Sequence, residues 1–295
     1  MKLLHTSDWH LGRSLYGKKQ DEEHRKFLQW LLQTIKEQKI EVVLAGNHDS
    51  PSFINAPQAL LAALNVYVVG QSSGCVEDEV LRSKNAQNEV ALIVCAVPYL
   101  RDRDIREAQV NESVEEKAKN ILQGIQHHYE RIAAYAEHLN QQLPFPVPVV
   151  ATGHLFAAGG TLLADDGVRD LYVGSLAHVS ASIFPTTFNY VALGHLHMPQ
   201  KAVKLAHIRY CGLLIPIGFG EETQQKMVCI IEFEEEHQPI ITEWPIPCFQ
   251  KLAHIRGNWD EIEEGLCNLK NKKAKVWMEI SYSGTELITD LRPLQ

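Results

Sequence analysis

The chain has no cysteines at the C-x-x-C spacing of zinc ribbons and redox motifs; its six (75, 95, 211, 229, 248 and 267) are scattered. Four lie in apolar surroundings, so buried thiols are expected rather than disulfides or zinc ligands. Long apolar runs are missing too. The longest, such as residues 146–151 and 227–233, fall far short of the ~20 residues of a membrane span, so no membrane role is expected. The start turns polar at Ser7-Asp8, too early for a secretory leader, and a cytoplasmic address is the expectation. Positive charge is not in excess: 28 Lys and Arg against 36 Asp and Glu give −8, which does not mark a general polyanion binder. A phosphate can still be held by metal ions or a local basic strip. Internal repeats are absent, which excludes a solenoid.

What is present suits one large domain followed by a smaller one, expected at 1–245 and 246–295. Apolar runs at 2–5, 40–45, 66–69, 90–97, 147–151, 171–173 and 190–193 read as buried strands, and 208–211, 228–233 and 240–244 as a β-rich continuation. A helix is expected from Asp21, with Phe27, Leu28, Leu31, Leu32 and Ile35 at the 3.6-residue period and acidic residues complementing the dipole. Ser50-Pro51 reads as a second helix start. Ser113-x-x-Glu116 is a capping box opening a long helix with Ile121, Leu122, Ile125, Tyr129 and Ile132 on one face. The alternation argues a layered α/β sandwich. After Pro247 a β-α-β pattern begins, with Asn258 as helix cap, and the chain ends at Gln295 before such a small domain would close.

Four polar motifs each follow one of these apolar runs: Asp8-Trp9-His10, Gly46-Asn47-His48-Asp49, Gly153-His154 and Gly194-His195-Leu196-His197. In extended backbone, residues i and i+2 share a face, so Asp8/His10 and His195/His197 are each expected to present two ligands in one direction. Open α/β sheets place ligand sites outside the carboxyl ends of their strands, where all four motifs fall. Carboxylate, imidazole and amide together suit Mn²⁺, Fe²⁺ or Zn²⁺ better than Mg²⁺ or Ca²⁺. One such motif is weak evidence; four in this order are not. His127-His128 reads as a solvated face, Glu234-Glu235-Glu236 as a hairpin tip, and Arg13, Lys18, Lys19, Arg101, Arg103 and Arg106 as phosphate contacts or ordinary surface charge.

The order D-x-H, G-N-H-D, G-H, G-H-x-H resembles the calcineurin-like metallophosphoesterases. The longer strings His5-Thr6-Ser7-Asp8-Trp9-His10-Leu11-Gly12, Ala45-Gly46-Asn47-His48-Asp49-Ser50, Val168-Arg169-Asp170-Leu171-Tyr172-Val173-Gly174-Ser175 and Tyr210-Cys211-Gly212 are similar to the SbcD subunits of bacterial SbcCD nucleases. The resemblance implies two mixed sheets flanked by helices, with a partial C-terminal β-α-β cap. It implies Asp8, His10 and His197 on one metal and Asn47, His154 and His195 on the other, with His48 at the scissile phosphate. The implied activity is Mn²⁺-dependent hydrolysis of DNA phosphodiesters. The implied partners are DNA and an SbcC-type SMC-like ATPase, the chain being a homodimer within a heterotetramer.

One family motif is missing. The family carries G-D-x-x-D after its second strand, then a helix and a third strand, and only then G-N-H-D. Here residues 40–44 run straight into Ala45-Gly46-Asn47-His48, as if a βα unit of about 30 residues had been excised near residue 44. With it goes the aspartate that bridges the two metals. Two dications about 3.5–4 Å apart repel strongly, and Asp8 is the one carboxylate among the six remaining ligands. One tightly held ion or none, and little hydrolysis, is the expectation for this chain. A serine usual after the family's glycine is replaced by Leu213. A catalytically impaired phosphoesterase-fold scaffold and a small-molecule phosphodiesterase are the competing readings; the appended β-α-β speaks against the latter.

Overall fold

A computed structural model describes residues 1–12, 14–45, 67, 69–107, 111–157, 179–202, 205–271 and 275–284. β1 (Lys2–Thr6) leads through a small hairpin, β2 (Ser14–Leu15) and β3 (Lys18–Lys19), into α1 (Asp21–Gln38) and then β4 (Val42–Ala45). β5 (Val80–Lys84), β6 (Val90–Cys95), the single turn α2 (Asp102–Ile105) and the long α3 (Val114–Gln141) follow. β7 (Val149–His154), β8 (Tyr190–Gly194), β9 (Gln200–Lys201), β10 (Ile208–Tyr210), β11 (Met227–Phe233) and β12 (Pro239–Pro245) complete two mixed sheets. Their orders are β12-β11-β1-β4 and β5-β6-β7-β8-β10-β9. A separate pair, β13 (Lys251–Gly257) and β14 (Val276–Tyr282), is parallel and joined by α4 (Trp259–Asn271).

Strands β1, β7, β8 and β10 are buried on both faces, which is why they read as continuous apolar runs rather than alternating ones. Side chains still alternate, and each face has its own core. Leu3, Leu44, Leu92, Val94, Val150, Tyr190, Ala192 and Ile231 meet between the two sheets. Leu4, Val228 and Ile230 turn outward onto Phe27 and Leu31 of α1. Ile93, Val149, Ala151, Val191 and Leu193 turn onto Ile121, Ile125, Tyr129 and Ile132 of α3. The result is helix, sheet, sheet, helix.

α3 starts as expected: the Ser113 hydroxyl accepts from the Glu116 N–H at 3.1 Å, and the Glu116 carboxylate accepts from the Ser113 N–H at 2.9 Å. α1 has no side-chain cap. Packing holds it, since Phe27 and Leu31 are each worth roughly 1.5–3 kcal/mol on burial, more than a cap provides. Leu32, expected in the core, is exposed; the inward stripe instead carries His24 and Thr34 beside Phe27 and Leu31. The hairpin β2–β3 and strand β5 escaped the sequence reading, being short or half polar. The expected strand at 66–69, the helix start at Ser50-Pro51 and the strand at 171–173 lie outside the described residues, residues 67 and 69 apart, and those two carry no strand. Three cysteines, 95, 211 and 229, are buried, but 75, 248 and 267 are exposed. Among the described residues, no helix is long and apolar enough to cross a membrane.

Candidate metal centre

Four strands, in two parallel pairs, bring their carboxyl ends to the centre. β1 and β4 are parallel neighbours, with Thr6 opposite Ala45, and β7 and β8 are parallel with His154 opposite Gly194. Asp8 and His10 therefore follow β1, His154 closes β7, and His195 and His197 follow β8. All five side chains are buried. β4 runs level with β1 into the segment that holds Asn47 and His48, which lie outside the described residues together with Asp49.

The five do not pair as strand alternation predicts. Asp8 and His10 have φ of 49° and 45°, and His195 has φ of 100°, so none is in extended backbone. Such values are uncommon for residues other than glycine and persist only where the surroundings enforce them. The turned backbone aims Asp8 at the other sheet: its Oδ2 accepts from the His195 N–H at 3.0 Å and its Oδ1 lies 3.7 Å from His154 Nδ1. The His154 and His195 rings meet edge to face at 5.4 Å between centroids, and the His10 and His197 rings do so at 5.9 Å. Asp8 thus stands against one imidazole pair, and His10 and His197 form the other.

Burial pushes the Asp8 carboxyl up to about 6, against the His195 N–H and the Ser7 hydroxyl, which both favour its charged form. A buried carboxylate beside imidazoles is chemistry that a divalent cation would complete. Among the described residues, no three His, Cys, Asp or Glu side chains form a group able to hold an ion. By donor type, the one carboxylate and four imidazoles described here suit a borderline dication such as Mn²⁺, Fe²⁺ or Zn²⁺.

The strand ends are pinned by side chains from other layers. Tyr129 of α3 donates to the Thr152 carbonyl at 3.0 Å, two residues before His154. Tyr210 of β10 donates to the Leu155 carbonyl at 2.8 Å and accepts from the Ala157 N–H at 2.7 Å, just after it. Thr6 donates to the Leu44 carbonyl and accepts from the Trp9 indole, both at 2.8 Å, tying β1 to β4. Two glycines are required by close approach. A Cβ on Gly194 would lie 2.9 Å from His154 Nδ1, and one on Gly212 (φ 79°) would lie 2.6 Å from the His197 carbonyl. The Leu213 N–H donates to that same carbonyl at 3.1 Å, a backbone contact indifferent to the side chain at 213. The two tyrosine hydroxyls and Thr6 were not singled out in the sequence, because a polar atom inside an apolar stripe gives no periodic signal.

Other expectations are corrected here. His128 is not on a solvated face: it is buried, with Nε2 2.8 Å from the Glu79 carboxylate, while His127 is exposed. Arg106 is not presented to solvent; Asp102 and Glu112 clamp its guanidinium, the latter at 2.7 Å. Lys18 sits 4.1 Å over the Trp277 ring, joining the hairpin to β14. Glu234–Glu236 does form the tip joining β11 and β12. Arg13 and the string 168–175 lie outside the described residues.

Comparison with known proteins completes the assignment. The family model described as "Type 5 capsule protein repressor C-terminal domain" matches residues 248–294. The chain is 31% identical to the SbcD subunit of the SbcCD nuclease of Escherichia coli K12, covering 99% of this chain and 80% of that protein. It is 27% identical to the Bacillus subtilis subunit (79% and 66% covered) and 25% identical to that of Staphylococcus epidermidis (92% and 76%). The first alignment has 330 positions against a chain of 295 residues, so at least 35 positions have no counterpart here. By identity and coverage together with the motifs around Asp8, His154 and His195, this chain belongs to the SbcD family of SbcCD nuclease subunits.

Proposed function

We propose that the chain is the SbcD subunit of an SbcCD-type complex whose centre engages DNA phosphodiesters, in the family's case for exonuclease action on double strands and endonuclease action on single strands and hairpins. The observation that carries this reading is the Asp8 carboxylate held against His154 and the His195 N–H, beside the His10–His197 pair. Asp8, His10 and His197 would hold one ion, and Asn47, His154 and His195 the other. When bound, Mn²⁺ supplies Lewis acidity and lowers the pKa of water toward neutrality. The chain's part is to orient: Asp8 supplies the anionic donor, the four imidazoles supply neutral donors, and His48 would meet the scissile phosphate, stabilising charge or protonating the leaving oxygen. Residues 1–245 would form the catalytic domain of calcineurin-like type and 246–295 the start of a cap. An SbcC-type ATPase is the partner, with two copies of this chain paired inside a heterotetramer.

A second reading, of a subunit that keeps the fold and has lost most hydrolysis, is favoured by two observations. The strand next to β1 is the one that runs into Gly46, with α1 as the one helix between them, and at least 35 aligned positions of the E. coli protein are missing. Both fit an excised βα unit carrying the bridging aspartate. Elemental analysis of the purified chain, with Mn²⁺-dependent digestion of plasmid-length DNA, separates the two. About two ions per chain with digestion establishes the first reading and removes the second. At most one ion and intact DNA, from a chain that melts cooperatively, establishes the second.

A further inference from the structure

His24 is buried on the inner face of α1, in a stripe shared with Phe27, Leu31 and Thr34. Both ring nitrogens face carbonyl oxygens, Nδ1 that of Gln20 at 2.9 Å and Nε2, reaching out of the helix, that of Trp9 at 3.2 Å; the proton on Nε2 is what makes the Trp9 contact a hydrogen bond. Trp9 separates Asp8 from His10. Those two residues turn through the left-handed region on either side of it, in a stretch with no regular secondary structure. Each such turn costs on the order of 1–2 kcal/mol, so something must hold the segment. Trp9 is held three times. Its indole donates to Thr6, its ring packs edge to face on Phe27 at 6.0 Å, and its carbonyl meets His24. Two of the three holds come from α1, whose register is set by its own core contacts with β1 and β11.

We infer that His24 is a positioning residue: by fixing the Trp9 carbonyl it keeps Asp8 and His10 in the turned conformations that bring them to the centre. Its consequence for metal affinity rests on the proposed metal centre; the geometry itself can be tested without a metal. Partners that orient ligand-bearing segments from outside the ligand set typically matter on the order of 10–100-fold in metal affinity.

The experiment uses the full chain in wild-type form and as His24→Phe, which keeps a ring but no nitrogen, His24→Gln, which keeps an N–H donor, and Leu31→Ala, which weakens the α1 core while leaving the His24 imidazole in place. Hydrogen exchange of the metal-free chain is read over residues 7–12, and Mn²⁺ affinity is read from the free-ion paramagnetic resonance signal. His24→Phe is expected to speed exchange at 7–12 by on the order of tenfold, with β7 and β8 unchanged, and to weaken Mn²⁺ binding by on the order of tenfold or more. His24→Gln recovers part of both, and Leu31→Ala lowers the melting temperature without either. Unchanged exchange at 7–12 in His24→Phe, or an equal change in Leu31→Ala, overturns the inference. A wild-type chain that takes up no Mn²⁺ overturns the metal centre instead, and the exchange data still decide the role of His24.

Discussion

Two parallel β-α-β units, β1-α1-β4 near the start of the chain and β13-α4-β14 near its end, differ in what surrounds them. In the first, β11 pairs with the far edge of β1, α1 covers one face, and the second sheet covers the other. In the second, the two strands form a sheet of their own. Ile262 of α4 is fully buried, yet most strand residues are half-exposed and Met278 is 42% exposed. A two-stranded sheet is marginal on its own, and α4 is the helix that packs on this one. The comparison teaches that the local pattern specifies the unit, while its rigidity comes from what other segments lay against it. The ligand-bearing loop follows the first unit's strand, where rigidity can be transmitted to side chains.

Core truncation should show the contrast most strongly. Phe27→Ala is expected to cost about 3–5 kcal/mol and shift the main unfolding transition in denaturant, because Phe27 joins α1 to both β1 and Trp9. Ile262→Ala, equally buried, is expected to cost about 2–4 kcal/mol but only within residues 251–282. Hydrogen exchange would show β13 and β14 unprotected while β1 and β11 keep their protection; a shift of the main transition as large as that of Phe27→Ala would erase the distinction.

Acid should separate the units next. Burial holds His5, on β1, down at about 3, and the Tyr190 hydroxyl lies 2.9 Å from its Nδ1. A folded-state pKa below the unfolded 6.5 contributes stability that is present above 6.5 and is lost as the pH falls towards 3. Between pH 6.5 and 5 the loss is about 2 kcal/mol, and His5→Phe should flatten that slope in denaturant titrations. The smallest effects belong to the caps. Ser113→Ala and Asn258→Ala each remove a side-chain oxygen that accepts a backbone N–H at a helix start, and each should cost about 1 kcal/mol. The first should move the main melting transition slightly, and the second only the exchange of α4.

How much of this was legible beforehand divides along physical lines. Strands β1, β7, β8 and β11 were legible because both their faces are buried and the apolar run is continuous. The caps of α3 and α4 were legible because Ser113 with Glu116 and Asn258 with Glu261 act within one turn. β5 was not, since its alternating Arg82 and Lys84 look like surface. Nor was the burial of His128 and Arg106, whose partners Glu79 and Glu112 are distant or lie in a loop. At the centre, the residue types and their strand ends could be read, but not which would meet. The i, i+2 rule assumes extended backbone, and Asp8, His10 and His195 are not extended.

The absence of a Gly-Asp-x-x-Asp motif, the nearly continuous strand runs and the four polar motifs are properties of the sequence alone, because each depends on the identity and order of neighbouring residues. Which imidazole Asp8 faces, and which side chains hold the backbone around it, only the tertiary structure decides. Those contacts cross 146 residues from Asp8 to His154 and 187 to the His195 N–H, and their geometry is set by two sheets packed face to face, a relation no local pattern encodes.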